Sequence, residues 1–377
     1  MFNKSLSYAA TLIVAVSMVP SPASAIPLFA QRYHLRCGAC HSVLPELNSF
    51  GNTFRNRGYQ LAGIPKHGTT GVAMRYQLEY EKDPSAGSRR FTQGGVISSN
   101  ADIGAVSAFL HYNLGAGGGP AGAYLAYAAT YNSHTKALYR AGLFELPLQQ
   151  SPGQRLDDLS PYGYYSTRVG LNDLTLSAPR WGLQMQRQFA QMTGSLTFAL
   201  AEFKGAPYGG KPVATGKTTA AHAPEIGLFL RAPLRPGIDV GGEVLGGSRD
   251  ITSTGRLTFS DRYVRSGVFA HGASKRFDLL AEQWWGSDAN ADGFGNTLGS
   301  SGGYVRLKYY PSEHFYLGVR YNAAAAPQAV RNFVWYAAAH VTPHARLIIE
   351  RRQPLGGQGS GTFGAAVTVG FPWPSNL

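Results

Sequence analysis

The sequence predicts a mainly β protein: a transmembrane antiparallel β-barrel of about 16 strands that follows a small N-terminal α-helical segment. Three observations lead to this prediction. From residue 70 onward, segments of about ten residues with alternating apolar positions recur between clusters of Gly, Asn, Asp, Pro and Ser. Aromatic residues gather at the ends of many of these segments. No long apolar run occurs among them, and a barrel needs none because its backbone hydrogen bonds form between strands.

The first 25 residues have the features of a secretory signal peptide. Lys4 gives a basic start, residues 9–19 are apolar, and the small residues SPASA precede Ile26. Such a segment is removed on export, and it is too short to span a bilayer. We therefore divide the chain into a signal peptide (1–25), a small domain (26–69) and a barrel (70–377), and expect the mature protein to lie beyond the inner membrane.

The only two cysteines of the chain lie in the sequence CGACH, residues 37–41. Cys-x-x-Cys can mark a redox disulfide, half of a zinc site or a haem attachment site, and the following residue distinguishes these possibilities. His41 follows directly, zinc would need a second pair of ligands, and a redox disulfide would need a surrounding βαβ pattern. The motif predicts one covalent haem c, attached through Cys37 and Cys40, with His41 as the proximal ligand of the iron.

The second axial ligand is less well defined by the sequence. His67 lies in a polar segment after a short helical stretch, His34 lies very close to the attachment site, and Met74 lies in a segment with strand alternation. We expect His41 and His67 to bind the iron. His34, Met74 and a five-coordinate iron are the alternatives.

The predicted haem domain, 26–69, is small. A domain of this size rarely has a sufficient hydrophobic core of its own, so a covalent haem would serve as a staple. About forty residues have a radius of gyration of only about 9 Å, and a barrel of about 16 strands encloses an aqueous lumen. A domain of this size could fit inside such a lumen as a plug.

The identity of the alternating residues distinguishes a membrane barrel from a soluble β-sandwich. In residues 181–190, Trp181 and Leu183 share one face, whereas Gln184 and Gln186 share the other. A row of glutamines is costly in a dry core but suits a water-filled lumen. The net charge is +13, and the same alternation predicts that several basic residues face the lumen, where they would favour anions or pair with haem propionates. These residues are Arg75, Arg187, Arg306, Lys308 and Arg320.

Two segments test the limits of the alternation rule. Residues 167–177 alternate well and are predicted to form a strand. Residues 89–98, RRFTQGGVIS, contain two glycines and are only an uncertain additional strand.

Residues 37–59, CGACHSVLPELNSFGNTFRNRGY, resemble the cytochrome segment of the outer-membrane fused monohaem cytochrome c–porins, whose best-known members oxidise Fe(II). The resemblance covers residues 29–59, and the barrel matches that family by pattern and length. It implies that Cys37 and Cys40 carry the haem and that His41 ligates it. It also implies that this chain has the scaffold residues of that family's cytochrome segment. The scaffold residues are Pro45, Asn48, Phe50, Gly51, Phe54, Gly58 and Tyr59.

The resemblance also implies a function in the bacterial outer membrane, within its lipid. Electrons would pass from an extracellular donor such as Fe(II) to a periplasmic c-type cytochrome, which would make the protein an Fe(II):cytochrome c oxidoreductase acting by outer-sphere transfer. We expect no nucleic-acid partner for an exported chain. Two alternatives stay open: a solute porin with a structural or gating haem plug, and a periplasmic haem sensor or peroxidase.

Overall fold

In the computed structural model, 16 antiparallel strands close into one barrel. The structure describes residues 29, 33, 35, 37–43, 46–61, 70–84, 86–114, 122–152, 158–202, 216–253, 258–325, 329–342, 345–356 and 360–372. The predicted fold class is therefore confirmed, including its strand count.

Short elements precede the barrel. Helix α1 (Cys37–Cys40) is followed by a small hairpin of β1 (His41–Val43) and β2 (Glu46–Leu47), and then by helix α2 (Ser49–Asn56). Among the described residues, no helix is long and apolar enough to cross a membrane.

The barrel strands follow in chain order, and each pairs with its sequence neighbours. They are β3 (Thr70–Asp83), β4 (Ser88–Ile103), β5 (Val106–Asn113), β6 (Gly122–Asn132), β7 (Ala137–Phe144), β8 (Arg180–Phe189), β9 (Met192–Glu202), β10 (Gly216–Arg235), β11 (Ile238–Ser253), β12 (Thr258–Ala273), β13 (Phe277–Asp288), β14 (Leu298–Ser312), β15 (Phe315–Ala325), β16 (Val330–Thr342), β17 (Ala345–Pro354) and β18 (Thr362–Pro372).

The first and last strands of the sheet close the barrel. Met74 and Leu78 of β3 are paired with Phe371 and Val367 of β18. Closure leaves the sheet without an edge, so its backbone N–H and C=O groups are paired within the protein, as the hydrocarbon layer requires.

Alternation along each strand separates an apolar outer face from a charged inner face. In β14, Val305 and Leu307 are 47% and 40% exposed, whereas Arg306 and Lys308, which alternate with them, are fully buried. The residue types therefore fix the register, because a shift by one residue would bring charges to the lipid.

Aromatic residues mark both boundaries of the outer apolar face. At one end, Phe277 of β13 lies 5.1 Å from Tyr309 of β14, and at the other end Tyr321 of β15 lies 5.2 Å from Phe333 of β16, measured between ring centroids. Aromatic girdles of this kind lie at the two membrane–water interfaces. On the neighbouring strand β13, the partner of Val305 is Ala281, which lies midway between Phe277 and the 47% exposed Trp285.

The two ends of the barrel have connections of different length. The turns after β4 and β10 contain two residues each, 104–105 and 236–237, and Gly237 adopts the left-handed conformation that such a tight turn needs. The connection between β7 and β8 lies at the opposite end and spans residues 145–179. Outer-membrane barrels have short periplasmic turns and longer extracellular loops, which gives the orientation of this one.

One local expectation was wrong and the uncertain additional strand is present, so the strand count is unchanged. Residues 167–177 are not a barrel strand, because their apolar side chains pack inside the lumen instead. Ser88–Ile103 is a full strand despite Gly94 and Gly95. Pairing with both neighbours outweighs the low strand propensity of glycine there.

We predict that Val305→Arg destabilises the barrel by about 2–4 kcal/mol, since the new charge would lie near the middle of the bilayer. Reversible unfolding in urea from lipid vesicles, followed by tryptophan fluorescence, measures this effect. Ser312→Arg, on the same strand beyond Tyr309, is the matched control and should cost about 0–1 kcal/mol. Equal costs at both positions would contradict the assigned membrane-facing band.

Candidate functional site

The lumen contains a long part of the connection between β7 and β8, residues 145–152 and 158–179, which we call the inner loop. Its buried side chains, including Tyr162 and Leu174, pack against Tyr263 and Trp284 of the barrel wall. The loop also contains one turn of 3-10 helix, Tyr164–Ser166. Because the loop starts and ends at the extracellular rim, its packing narrows the lumen from that side.

A buried ion pair and a carboxylate hold one part of the inner loop. Asp158 lies 2.6 Å from Arg320 of β15, and both side chains are fully buried. Glu350 of β17 accepts a hydrogen bond from the backbone N–H of Leu159 at 2.7 Å and a second from that of Ser160. Charged groups buried in this way are costly unless they are paired, so the wall and the loop depend on each other.

Two further contacts hold the second half of the loop. Tyr165 donates a hydrogen bond to Glu282 of β13 at 2.6 Å, and Asn172 donates to Asp261 of β12 at 2.7 Å. Burial raises the pKa of the Tyr165 hydroxyl well above its usual range. The hydroxyl therefore keeps its proton and remains a donor to the carboxylate.

The basic residues expected in the lumen show a different role from the one predicted. Arg306 and Lys308 do face inward, but Arg306 lies 2.6 Å from Asp278, and Lys308 lies 5.8 Å from the ring centroid of Tyr316. With the Arg320 pair, these cations are buried against carboxylates and aromatic rings. The expectation that they line an open, anion-favouring surface is wrong.

The five predicted lumen cations do not all lie on the inner face. Arg75 shares the inner face of β3 with the buried Ala73. Arg187, however, alternates with Gln184 and Gln186 and lies on the outer face of β8, 4.7 Å from the ring centroid of Phe189. It shares this outer face with Trp181 and Leu183, as unbroken alternation along β8 requires, and it lies at the periplasmic end of the strand.

The described residues between 29 and 61, which we call the N-terminal segment, are organised around helix α2. Asn48 is its N-cap and accepts a hydrogen bond from the backbone N–H of Gly51. At the other end, the N–H of Tyr59 binds the carbonyl of Phe54, and the N–H of Gly58 binds that of Arg55. This pattern, with Gly58 in the left-handed conformation, is a Schellman cap.

The same capping residues hold the cysteine motif. The backbone N–H of Asn48 donates to the carbonyl of Cys40 at 2.9 Å, and its side-chain amide donates to the carbonyl of Ala39 at 3.0 Å. A Cβ atom at Gly51 would lie 2.1 Å from the Cys40 carbonyl oxygen. Only glycine allows α2 to approach α1 this closely, which explains the spacing between Cys40, Asn48 and Gly51.

The residues present fit a covalent haem c. Helix α1 places residues 37 and 40 one turn apart, where two thioethers could reach one edge of a porphyrin, and His41 follows at once. Cys40 is partly buried against an aromatic cluster that contains Phe29 and Phe54. The set therefore offers two sulfurs, an imidazole and an apolar surface, the groups that this cofactor requires.

The N-terminal segment docks on the inner wall near the periplasmic rim. A Cβ atom at Gly58 would lie 2.9 Å from Leu138 of β7, and the ring centroid of Tyr59 lies 6.4 Å from that of Phe109 of β5. Gln60 donates to Ser107 at 2.8 Å, next to the short turn after β4. The described part of this segment therefore lies in the lumen, on a different part of the wall from the inner loop.

Of the candidate second ligands of the haem iron, the structure describes only Met74. His34 and His67 lie outside the described residues. Met74 lies on the outer face of β3 with Leu78, which is 40% exposed to the lipid side, so it does not face the cysteine motif. Sequence reasoning missed His111, which lies on the inner face of β5, although the alternation of Phe109 and His111 with the exposed Leu110 could have revealed it.

Comparisons with known proteins identify the class of the barrel. No protein-family model matches the chain, and no curated protein matches it. Among solved structures, the anion-selective porin of Comamonas acidovorans superposes with a TM-score of 0.56 at 9% sequence identity, covering 81% of this chain and 99% of the porin. A loop-deletion mutant of the outer-membrane protein OmpT of Vibrio cholerae gives 0.55 at 11% identity, with coverage of 80% and 99%.

The outer-membrane channel DcaP of Acinetobacter baumannii also superposes with a TM-score of 0.55 at 11% identity, covering 80% of this chain and 96% of the channel. The chain is thus a bacterial outer-membrane β-barrel of porin architecture. Identities this low establish the fold and location, whereas the haem prediction depends on the motif of residues 37–41.

We predict that Gly58→Val releases the N-terminal segment while the barrel stays closed. The substitution would strain the left-handed backbone by about 1–2 kcal/mol and drive a side chain into Leu138. Limited proteolysis within residues 29–61, together with heat-modifiable mobility on gels, measures the two effects separately. Gly87→Val is the matched control, because Gly87 is also left-handed but has no atom within 4 Å of the added Cβ. Similar proteolysis of both variants would contradict the docking contact.

Proposed function

We propose that the protein is an outer-membrane channel of porin type, whose lumen is narrowed by the inner loop and whose periplasmic mouth holds a haem-carrying N-terminal segment. The observation that carries this proposal is the inner loop, fixed by Asp158 and Arg320 inside a closed barrel of 16 strands. Barrels of this size enclose an aqueous passage, and a folded-in loop sets which solutes can cross.

The character of the lumen supports small hydrophilic solutes as the cargo. The inner face carries polar pairs such as Arg140 with Gln184 at 2.6 Å, and the solved structures that superpose on it include a protein described as an anion-selective porin and one described as an outer-membrane channel. Since the inward cations Arg306 and Arg320 are each paired with a carboxylate, we expect weak charge selectivity instead of a strong preference for anions.

Release of the inner loop tests the channel proposal. Arg320→Met leaves Asp158 buried without its cation, and breaking such a pair typically costs about 3–5 kcal/mol, so the loop should loosen and single-channel conductance in planar bilayers should rise. Arg90→Met is the control, because it removes the cation of the exposed pair with Glu81 and should leave conductance unchanged. If the wild type, Arg320→Met and Arg90→Met all show no conductance, the channel proposal is refuted.

A second candidate function is electron transfer across the outer membrane. The observation that favours it is the CGACH turn, which Asn48 and Gly51 hold beside an aromatic cluster within the barrel. Cys37 and Cys40 would hold the haem and His41 would ligate it. When bound, haem c would supply one-electron exchange between an external donor such as Fe(II) and a periplasmic c-type cytochrome.

The position of the motif adds a condition to this second candidate. The segment contacts Ala73 and Ser107, which lie near the periplasmic ends of β3 and β5. An external donor would therefore have to enter the lumen to exchange electrons, so a solute passage and a redox function would use one path.

Optical spectroscopy of the purified protein tests haem attachment. We expect one haem per chain that survives acid–acetone extraction, and its loss in Cys37→Ala/Cys40→Ala with the barrel still heat-modifiable. Stopped-flow reduction by Fe(II) in outer-membrane vesicles then tests electron transfer. If the haem is covalent but Fe(II) does not reduce it, and solutes still cross, the haem segment is a structural plug in a channel. If no covalent haem is found, both the haem plug and the electron-transfer function are rejected.

A further inference from the structure

The inner wall of the barrel contains a buried histidine, His111, with one ring nitrogen that has no hydrogen-bond partner among the described residues. His111 of β5 is 4% exposed, and its Nδ1 atom lies 3.2 Å from the hydroxyl oxygen of Ser98 on β4. The Nε2 atom is buried and has no hydrogen-bond partner among the residues that the structure describes. A buried polar atom without a partner is costly, and in a native structure it calls for an explanation such as an unseen ligand.

His111 lies at the level of the aromatic cluster beside the cysteine motif. Ala73 of β3 pairs with Ser98, and Ser98 pairs with His111, so the three residues form one row across neighbouring strands. Ala73 packs in the cluster that Cys40 adjoins. Phe109, the previous inward residue on β5, packs against the same cluster. His111 therefore lies two residues from one member of the cluster and two strands from another.

The hydrogen bond to Ser98 suits His111 for binding a metal. If the hydroxyl oxygen of Ser98 accepts a hydrogen bond from Nδ1–H, the lone pair of the imidazole lies on Nε2, which is the atom without a partner. Metal-binding histidines usually donate their second ring N–H in this way, which fixes the tautomer and the ring orientation.

We propose that His111, through Nε2, is the second axial ligand of the iron of a haem attached at Cys37 and Cys40, opposite His41. This inference rests on the haem candidate of the proposed function. It differs from the sequence expectation, which assigned the position to His67. A ligand from the wall would join the N-terminal segment to the barrel, so the haem would also fasten the segment in the lumen.

Spectroscopy of the ferric protein and of single variants tests the assignment. The wild type should be low-spin by electron paramagnetic resonance and optical absorption. His111→Ala should be high-spin, should bind carbon monoxide when reduced, should keep one haem per chain, and should return to low spin when imidazole is added. His340→Ala removes another inward histidine, on β16, and should stay low-spin. His67→Ala should also stay low-spin.

If His111→Ala does not assemble, His111→Met keeps an apolar chain at the site and supplies a thioether. It should raise the haem midpoint potential and change the near-infrared charge-transfer band, as a change from nitrogen to sulfur ligation requires. An unchanged spectrum of this variant would overturn the assignment.

Other outcomes distinguish the inference from the function beneath it. A low-spin His111→Ala protein, a high-spin His67→Ala protein or a high-spin wild type would each overturn the role of His111 while leaving the covalent haem in place. A wild type without covalent haem would overturn the haem candidate itself, and the role of His111 with it.

Discussion

The structure depends on one constraint: every backbone N–H and C=O group that lies in the hydrocarbon layer must find its partner within the protein. Closure of β3 against β18 meets this requirement for the sheet. Once the sheet is closed, each strand has one face toward lipid and one toward the lumen. The residue types then follow, with Val305 and Leu307 outside and Arg306 and Lys308 inside.

The inner face creates a second requirement, because a buried charge is stable only beside a partner. Between neighbouring wall strands, Arg265 of β12 pairs with Asp288 of β13, and Arg306 of β14 pairs with Asp278 of β13. The inner loop supplies further partners. Asp158 pairs with Arg320, and backbone N–H groups of the loop satisfy Glu350. The loop is therefore part of the barrel core, and the passage it leaves is set by electrostatic pairing as much as by shape.

Alternation and composition were sufficient to predict the barrel, its location and the inward row of glutamines. They failed where a loop that packs inside the lumen shows the same alternation as a barrel strand. Residues 167–177 alternate because Val169, Leu174 and Leu176 are buried inside the lumen, not because they pair in the sheet. Arg187 was placed on the wrong face although it is an even number of positions from Trp181 and Leu183, so a consistent use of the alternation along β8 puts it outside, where the structure has it.

The cysteine motif shows where sequence reasoning reaches the site and where it stops. Several residues after the cysteines have roles in local structure: Asn48 is the N-cap of α2, and Gly51 allows α2 to approach α1 closely. Phe54, Gly58 and Tyr59 take part in the Schellman cap. These local roles can be predicted from the spacing of the residues in the sequence. The docking of Gly58 on Leu138 could not be, since these residues are eighty positions apart and meet only when the barrel closes.

The same separation applies to His111, which is far from Cys40 in sequence but lies two residues from Phe109, a residue packed against the cluster that Cys40 adjoins. A segment of about forty residues rarely buries its own apolar surface, and this one lies in a water-filled lumen. The wall of the barrel can supply what the segment lacks, because its inner face carries an aromatic surface at Phe109, an imidazole at His111 and a hydrogen-bond partner for Gln60 at Ser107. The small domain and the barrel are therefore best understood as one folding unit, in which the wall of the larger part completes the core of the smaller one.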